Sequence, residues 1–249
     1  MALPTFQAAQ YVSFGLYLFS SHTFTNCGAT GRSGPTLANC KSSYDTSWED
    51  DTEFFNVQTQ GIQEWTVPST GTYRIEAYGA QGGNGSGSST GGLGARMRGD
   101  FSLTKGEVIK IMVGQLGTGA TNVLSAGGGG GTFVIKSPYN NTASILVIAG
   151  GGGGEAQNST GTPAGQTTNN GAVGGNSGGS AGTGGNAGGS VHFATGGASC
   201  GCGTGGGGGG PQQWGSYAFG GGGSYNSGSN TSNSSGARSG QGQVIITKQ

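Results

Sequence analysis

Gly61-Ile-Gln-Glu-Trp-Thr-Val-Pro-Ser-Thr-Gly-Thr-Tyr-Arg-Ile-Glu-Ala-Tyr78 decides the fold class. Ile62–Val67 and Thr72–Tyr78 alternate apolar and polar side chains, the period of a strand with one buried face. Pro68-Ser-Thr-Gly71 between them has the composition of a turn. Moving outward, Ala95–Leu103 and Glu107–Val113 form a second such pair, joined by Thr104-Lys-Gly106. Thr132–Ile135 and Ile145–Ile148 follow, and Val244–Thr247 closes the chain. Upstream, the aromatic run Tyr11-Val-Ser-Phe-Gly-Leu-Tyr-Leu-Phe19 reads as a further strand. About eight strands and almost no helical period predict an all-β, jelly-roll-like sandwich.

Composition sets the second expectation. Of 249 residues, 60 are glycine and only 6 proline, with no Gly-X-Y repeat, which excludes collagen. Glycine is sparse over residues 1–60 and interleaved with strands over 61–149. It dominates 150–242, where no charged residue occurs between Glu155 and Arg238. Four stretches are expected: 1–60 with the first strand and a cysteine-flanked turn, 61–149 as the main sandwich, 150–242 as an inserted glycine bundle, and 243–249 as the closing strand.

A glycine tract held between strands at both ends has a packed solution. Extended threefold helices of the polyproline type have no internal hydrogen bonds, so their amides must bond to neighbouring chains. Glycine lets those chains approach, and small polar residues sit on the rim, where Ser234 and Ser235 are expected. Strings such as GxGxxG arise by chance here, and none opens a helix or ends in Gly-Lys-Ser/Thr, so nucleotide binding is not expected.

The formal net charge is zero, which predicts no basic face and no nucleic-acid partner. No apolar run is long enough to span a bilayer, so membrane insertion is not expected. The amino terminus lacks the charged region of a signal peptide, which suggests export by another route or joining a particle inside a cell.

Four cysteines, Cys27, Cys40, Cys200 and Cys202, are disulfide candidates with three possible pairings. Their spacing and the isolated His22 and His192 do not make a zinc site, and no metal or cofactor is expected. Catalysis lacks a constellation: no nucleophile elbow and no acid–base pair in the charge-free tract. Trp214, Tyr217, Phe219 and Tyr225 interrupt the late glycine tract and are candidate binding residues, although packing against the sandwich also accounts for them. Glu49-Asp50-Asp51 with Glu53 lacks the spacing of a calcium loop. Arg98-Gly99-Asp100 spells an integrin tripeptide but falls inside a strand. Asn140, Asn158, Asn230 and Asn233 begin glycosylation sequons.

Several pieces occur together in a specific order. They are Cys27-Gly-Ala-Thr-Gly-Arg-Ser-Gly-Pro-Thr36 with Cys40, Gly61–Pro68, Gly71–Ala80, Val113-Gly-Gln-Leu-Gly117, Gly127-Gly-Gly-Gly-Gly-Thr-Phe-Val134 and Leu146-Val-Ile-Ala-Gly-Gly151. This set resembles the glycine-rich extracellular domain of anaplastic lymphoma kinase and leukocyte tyrosine kinase receptors, and is similar to glycine-rich viral and phage surface proteins. The resemblance implies a tumour-necrosis-factor-like sandwich with inserted polyglycine helices. It also implies a non-catalytic, oligomeric structural and attachment protein on a virion or other extracellular surface. Its partners would be proteins of an assembly, or a host receptor or glycan. A secreted ligand-binding module and a purely structural matrix subunit are the alternatives.

Overall fold

The computed structural model describes residues 15–31, 33–85, 90–119, 126–155, 162–172 and 220–249. Alternation in Gly71–Tyr78 (β4) puts Tyr73, Ile75 and Ala77 inside and leaves Arg74, Glu76 and Tyr78 facing outward. Gly94–Leu103 (β5) pairs with it antiparallel, Ile75 opposite Gly99 and Ala77 opposite Met97. Ser21–Phe24 (β1), Gln243–Lys248 (β11) and Ser229–Arg238 (β10) complete a five-stranded sheet in the order β1-β11-β4-β5-β10.

A second antiparallel sheet packs on the first. Its strands are Phe55–Thr59 (β2), Ile62–Thr66 (β3), Val108–Met112 (β6), Thr132–Lys136 (β7), Ile145–Ala149 (β8) and Tyr225–Asn226 (β9), adjacent in that order. Between the sheets lies one apolar core that includes Trp65, Tyr73, Ile75, Met97, Ile109, Ile111, Val147 and Ile246. The chain is therefore an all-β sandwich, as its alternation predicts. Among the described residues one α-helix, Leu37–Ser43 (α1), stands outside it. Thr36 caps it: its hydroxyl accepts from the Asn39 amide, and the Asn39 side chain accepts from the Thr36 N–H.

Three expectations need correction. Among the described residues the first strand is Ser21–Phe24: Tyr11–Phe14 lie outside them, and Gly15–Phe19 are not strand. Tyr17 and Phe19 instead turn their rings onto Trp48, Phe54 and Trp65, capping the core. Ser234 and Ser235 sit inside β10, not on a rim or loop, because Ser232, Asn233 and Ser234 pair with Arg98, Met97 and Arg96. Glycine packing is also not confined to 150–242.

Each glycine segment continues a strand. β4 runs on into 79–85 and the chain returns through 90–93 into β5. β6 runs into 113–119 and returns through 126–131 into β7. β8 runs into 150–155, and 220–224 leads into β9, with 162–172 between them in sequence. Backbone hydrogen bonds join these arms at intervals of three residues. Gly79 and Gly82 donate to Ala95 and Gly92, Ala80 and Gly83 to Gly130 and Gly127, and Gly127 and Gly130 to Thr118 and Gln115.

The arm 150–155 bonds to five others. Gly152 and Glu155 donate to Ala80 and Gly83, and Gly153 donates to Pro163. Its carbonyls accept from Gly92 and Ala95, from Ala126 and Gly129, and from Gly222. A strand of a flat sheet bonds to two neighbours, one on each side. Five neighbours at a three-residue interval are the mark of threefold helices in lateral packing. At many of these glycines an added β-carbon would collide with backbone. At Gly152 it would strike the Gly92 carbonyl, and at Gly82 the Gly153 carbonyl. Residues 173–219, in the middle of the expected bundle, lie outside the described residues.

Candidate functional site

The outward face of the five-stranded sheet is assembled by period two and strand register. β4 contributes Arg74, Glu76 and Tyr78, and β5 contributes Arg96, Arg98 and Asp100. Register sets Arg74 against Asp100, Glu76 against Arg98, and Tyr78 against Arg96. β10 then brings Ser232 and Ser234 alongside Arg98 and Arg96. At its end Arg238 lies over the Tyr78 ring, 6.0 Å from the centroid. Four of the chain's five arginines thus share one face, although they come from three separate strands. The expectation of no basic face, drawn from zero net charge, is corrected here: the charges are segregated in space, not absent.

Two of these arginines are committed. Arg74 clamps Asp100 with both ends of its fork, Nε to Oδ1 at 2.8 Å and Nη2 to Oδ2 at 3.0 Å. Hydrogen bonds from Arg74, and then from Asn230, hold the Asp100 carboxyl below its ordinary range. Arg96 bonds Glu76 at 2.7 Å. Arg98 and Arg238 enter none of the salt bridges found among the described residues. The Nε of Arg98 is buried and has no hydrogen-bond partner.

The tripeptide Arg98-Gly99-Asp100 is therefore not displayed. Asp100 is 7% exposed and locked to Arg74, and the backbone is mid-strand. Charge of the other sign collects elsewhere: Asp45, Glu49, Asp50, Asp51 and Glu53 lie between α1 and β2. Glu49 is turned inward to accept from the backbone of Thr46, and Lys41 pairs with Asp50.

Other candidates separate cleanly. Cys27 and Cys40 are joined by a disulfide that ties the turn before α1 to the helix. Cys200, Cys202, His192, Trp214, Tyr217 and Phe219 lie outside the described residues, as does Asn158. Tyr225 is half-buried in β9, opposite Ile148. Asn140, Asn230 and Asn233 are exposed. His22 is enclosed by the rings of Phe24, Tyr44 and Trp48 at 4.6, 4.5 and 4.9 Å, and burial lowers its pKa to about 4. Its Nε2 is buried without a partner. Among the described residues no group of three or more His, Cys, Asp or Glu could hold a metal ion. No described helix is long and apolar enough to cross a membrane.

The chain is 42% identical over 98 residues to the leukocyte tyrosine kinase receptor of Mus musculus. The likeness is to a receptor. The matched region belongs to its extracellular part and not to its kinase domain. It covers 39% of this chain and 11% of the receptor, so the chain spans a small fraction of that relative's length. No protein-family model matches the chain. The receptor half of the resemblance is supported, and the viral and phage half is untouched by these comparisons.

Proposed function

We propose that this chain is a non-catalytic extracellular recognition module that binds a protein ligand. The observation that carries the reading is the 42% identity to the extracellular part of a receptor. Two structural features support it. The Cys27–Cys40 disulfide belongs to an oxidising compartment. The sandwich and its glycine bundle share a rigid, laterally bonded scaffold, which carries a surface at low ordering cost.

Binding of labelled full-length chain to intact cells tests this. Saturable binding that unlabelled chain displaces is the expected result. Strictly linear, non-displaceable adsorption would instead leave the chain a structural matrix subunit.

A further inference from the structure

We propose that the outward face of the sheet β1-β11-β4-β5-β10 is a docking surface for an acidic segment of a partner protein, with Arg98 and Arg238 taking its carboxylates. This deepens the recognition-module reading and rests on it.

The argument starts from the charge inventory. Arg74, Arg96, Arg98 and Arg238 face two carboxylates, Glu76 and Asp100, so four positive charges against two leave a surplus of two. Both carboxylates are occupied, each by its own arginine. The signs alternate here, but guanidinium is in excess over carboxylate. Guanidinium forks match carboxylate geometry, and a charge-assisted bond is about twice as strong as a neutral one.

The neighbours of the two arginines outside the salt bridges suit an extended segment. Arg238 is held in place by its Nε bond to the Gln241 carbonyl and by the Tyr78 ring beneath it. Ser232 and Ser234 offer hydroxyls beside Arg98 and Arg96. β10 is an edge strand of exposed Ser, Asn and Thr side chains, bonded on one side only. Two register shifts along it interrupt a flat edge, which disfavours continuous strand addition and leaves side-chain chemistry to carry the contact. Asp100, already clamped by Arg74, also feels the charge of Arg98, but neither Arg98 nor Arg238 forms a salt bridge among the described residues.

The test is fluorescence anisotropy with a labelled ten-residue glutamate peptide and the full-length chain, at low and at physiological salt. The expected result is measurable affinity that weakens as salt rises. R98Q combined with R238Q should reduce it by at least about tenfold, the scale of losing a charge-assisted bond. K136Q, on the opposite sheet, should leave it unchanged. Circular dichroism of the double variant separates loss of binding from loss of fold, and R98K with R238K, which keeps charge without the fork, should recover only part of the affinity.

Three results overturn the proposal. One is equal peptide binding by wild type and the R98Q/R238Q variant. Another is tighter, arginine-dependent binding of a sulfated oligosaccharide than of the peptide, which assigns the face to a glycan. The third is concentration-dependent self-association by sedimentation that R98Q/R238Q abolishes, which makes the occupant a second copy. If R98Q/R238Q loses peptide binding yet keeps full displaceable cell binding, the recognition reading stands and this face is not its site. If cell binding is absent while the peptide still binds, the recognition reading fails on its own.

Discussion

At the scale of single residues, burial without compensation decides most outcomes. His22 is held neutral by three aromatic rings, with its pKa lowered from 6.5 to about 4. The folded state therefore binds fewer protons than the unfolded chain between those values, and stability falls as pH drops through that window. Unfolding free energies from urea denaturation at pH 7.5 and pH 5 should differ by about 1–2 kcal/mol, with the lower value at pH 5. His22→Phe should flatten that slope, and an unchanged slope would mean that other groups carry it. Glycine gives the complementary case. Gly152→Ala puts a methyl group into the Gly92 carbonyl, whereas at Gly71 the nearest atom is the flexible end of Lys248, 3.9 Å away. Thermal unfolding should show a loss of at least about 2 kcal/mol for the first. The second should stay within about 0.5 kcal/mol.

At the scale of elements, legibility follows how a segment is stabilised. β3, β4, β5, β6, β7, β8 and β11 are readable because each buries one face or both, and burial writes apolar residues at fixed intervals. β10 leaves no such trace. Ser229–Arg238 buries no side chain fully and is held by backbone pairing to β5, so it reads as more of the polar glycine tract. α1 was legible in principle: Thr36-Leu-Ala-Asn39 has the spacing of a capping box, with asparagine where glutamate or glutamine is usual. The arginine face is visible only after pairing. Alternation groups Arg74 with Glu76 and Arg96 with Arg98, but only the β4–β5 and β5–β10 registers, together with the turn that brings Arg238 to Tyr78, bring them together. The Cys27–Cys40 link closes a segment of sequence separation 13. Replacing both with alanine should lower unfolding free energy by about 3 kcal/mol, measured in denaturant, through the gain in chain entropy of the unfolded state.

At the scale of the molecule, sandwich and bundle are one cooperative body, because arms and strands are the same chain passing from one layer into the other. Core residues Ile75 and Ala77 lead through Gly79 directly into the Ala80 amide that bonds Gly130. Native-state hydrogen exchange should therefore give the amides of Ala80, Gly129 and Gly152 protection close to that of the strand amides of Ile75 and Val134. Exchange of the glycine amides orders of magnitude faster would show that the bundle opens on its own.

The three-residue interval between lateral bonds makes arm length adjustable in fixed steps. Lengthening an arm by three residues advances it by about 9 Å and returns every donor to its original direction. One or two added residues turn the donors away from their acceptors. Related chains should thus differ in height above the sandwich by whole turns, growing in both limbs of an excursion together. The glycine layer is in this sense a ruler, and a family built on it can move its tip relative to a fixed base without redesigning either.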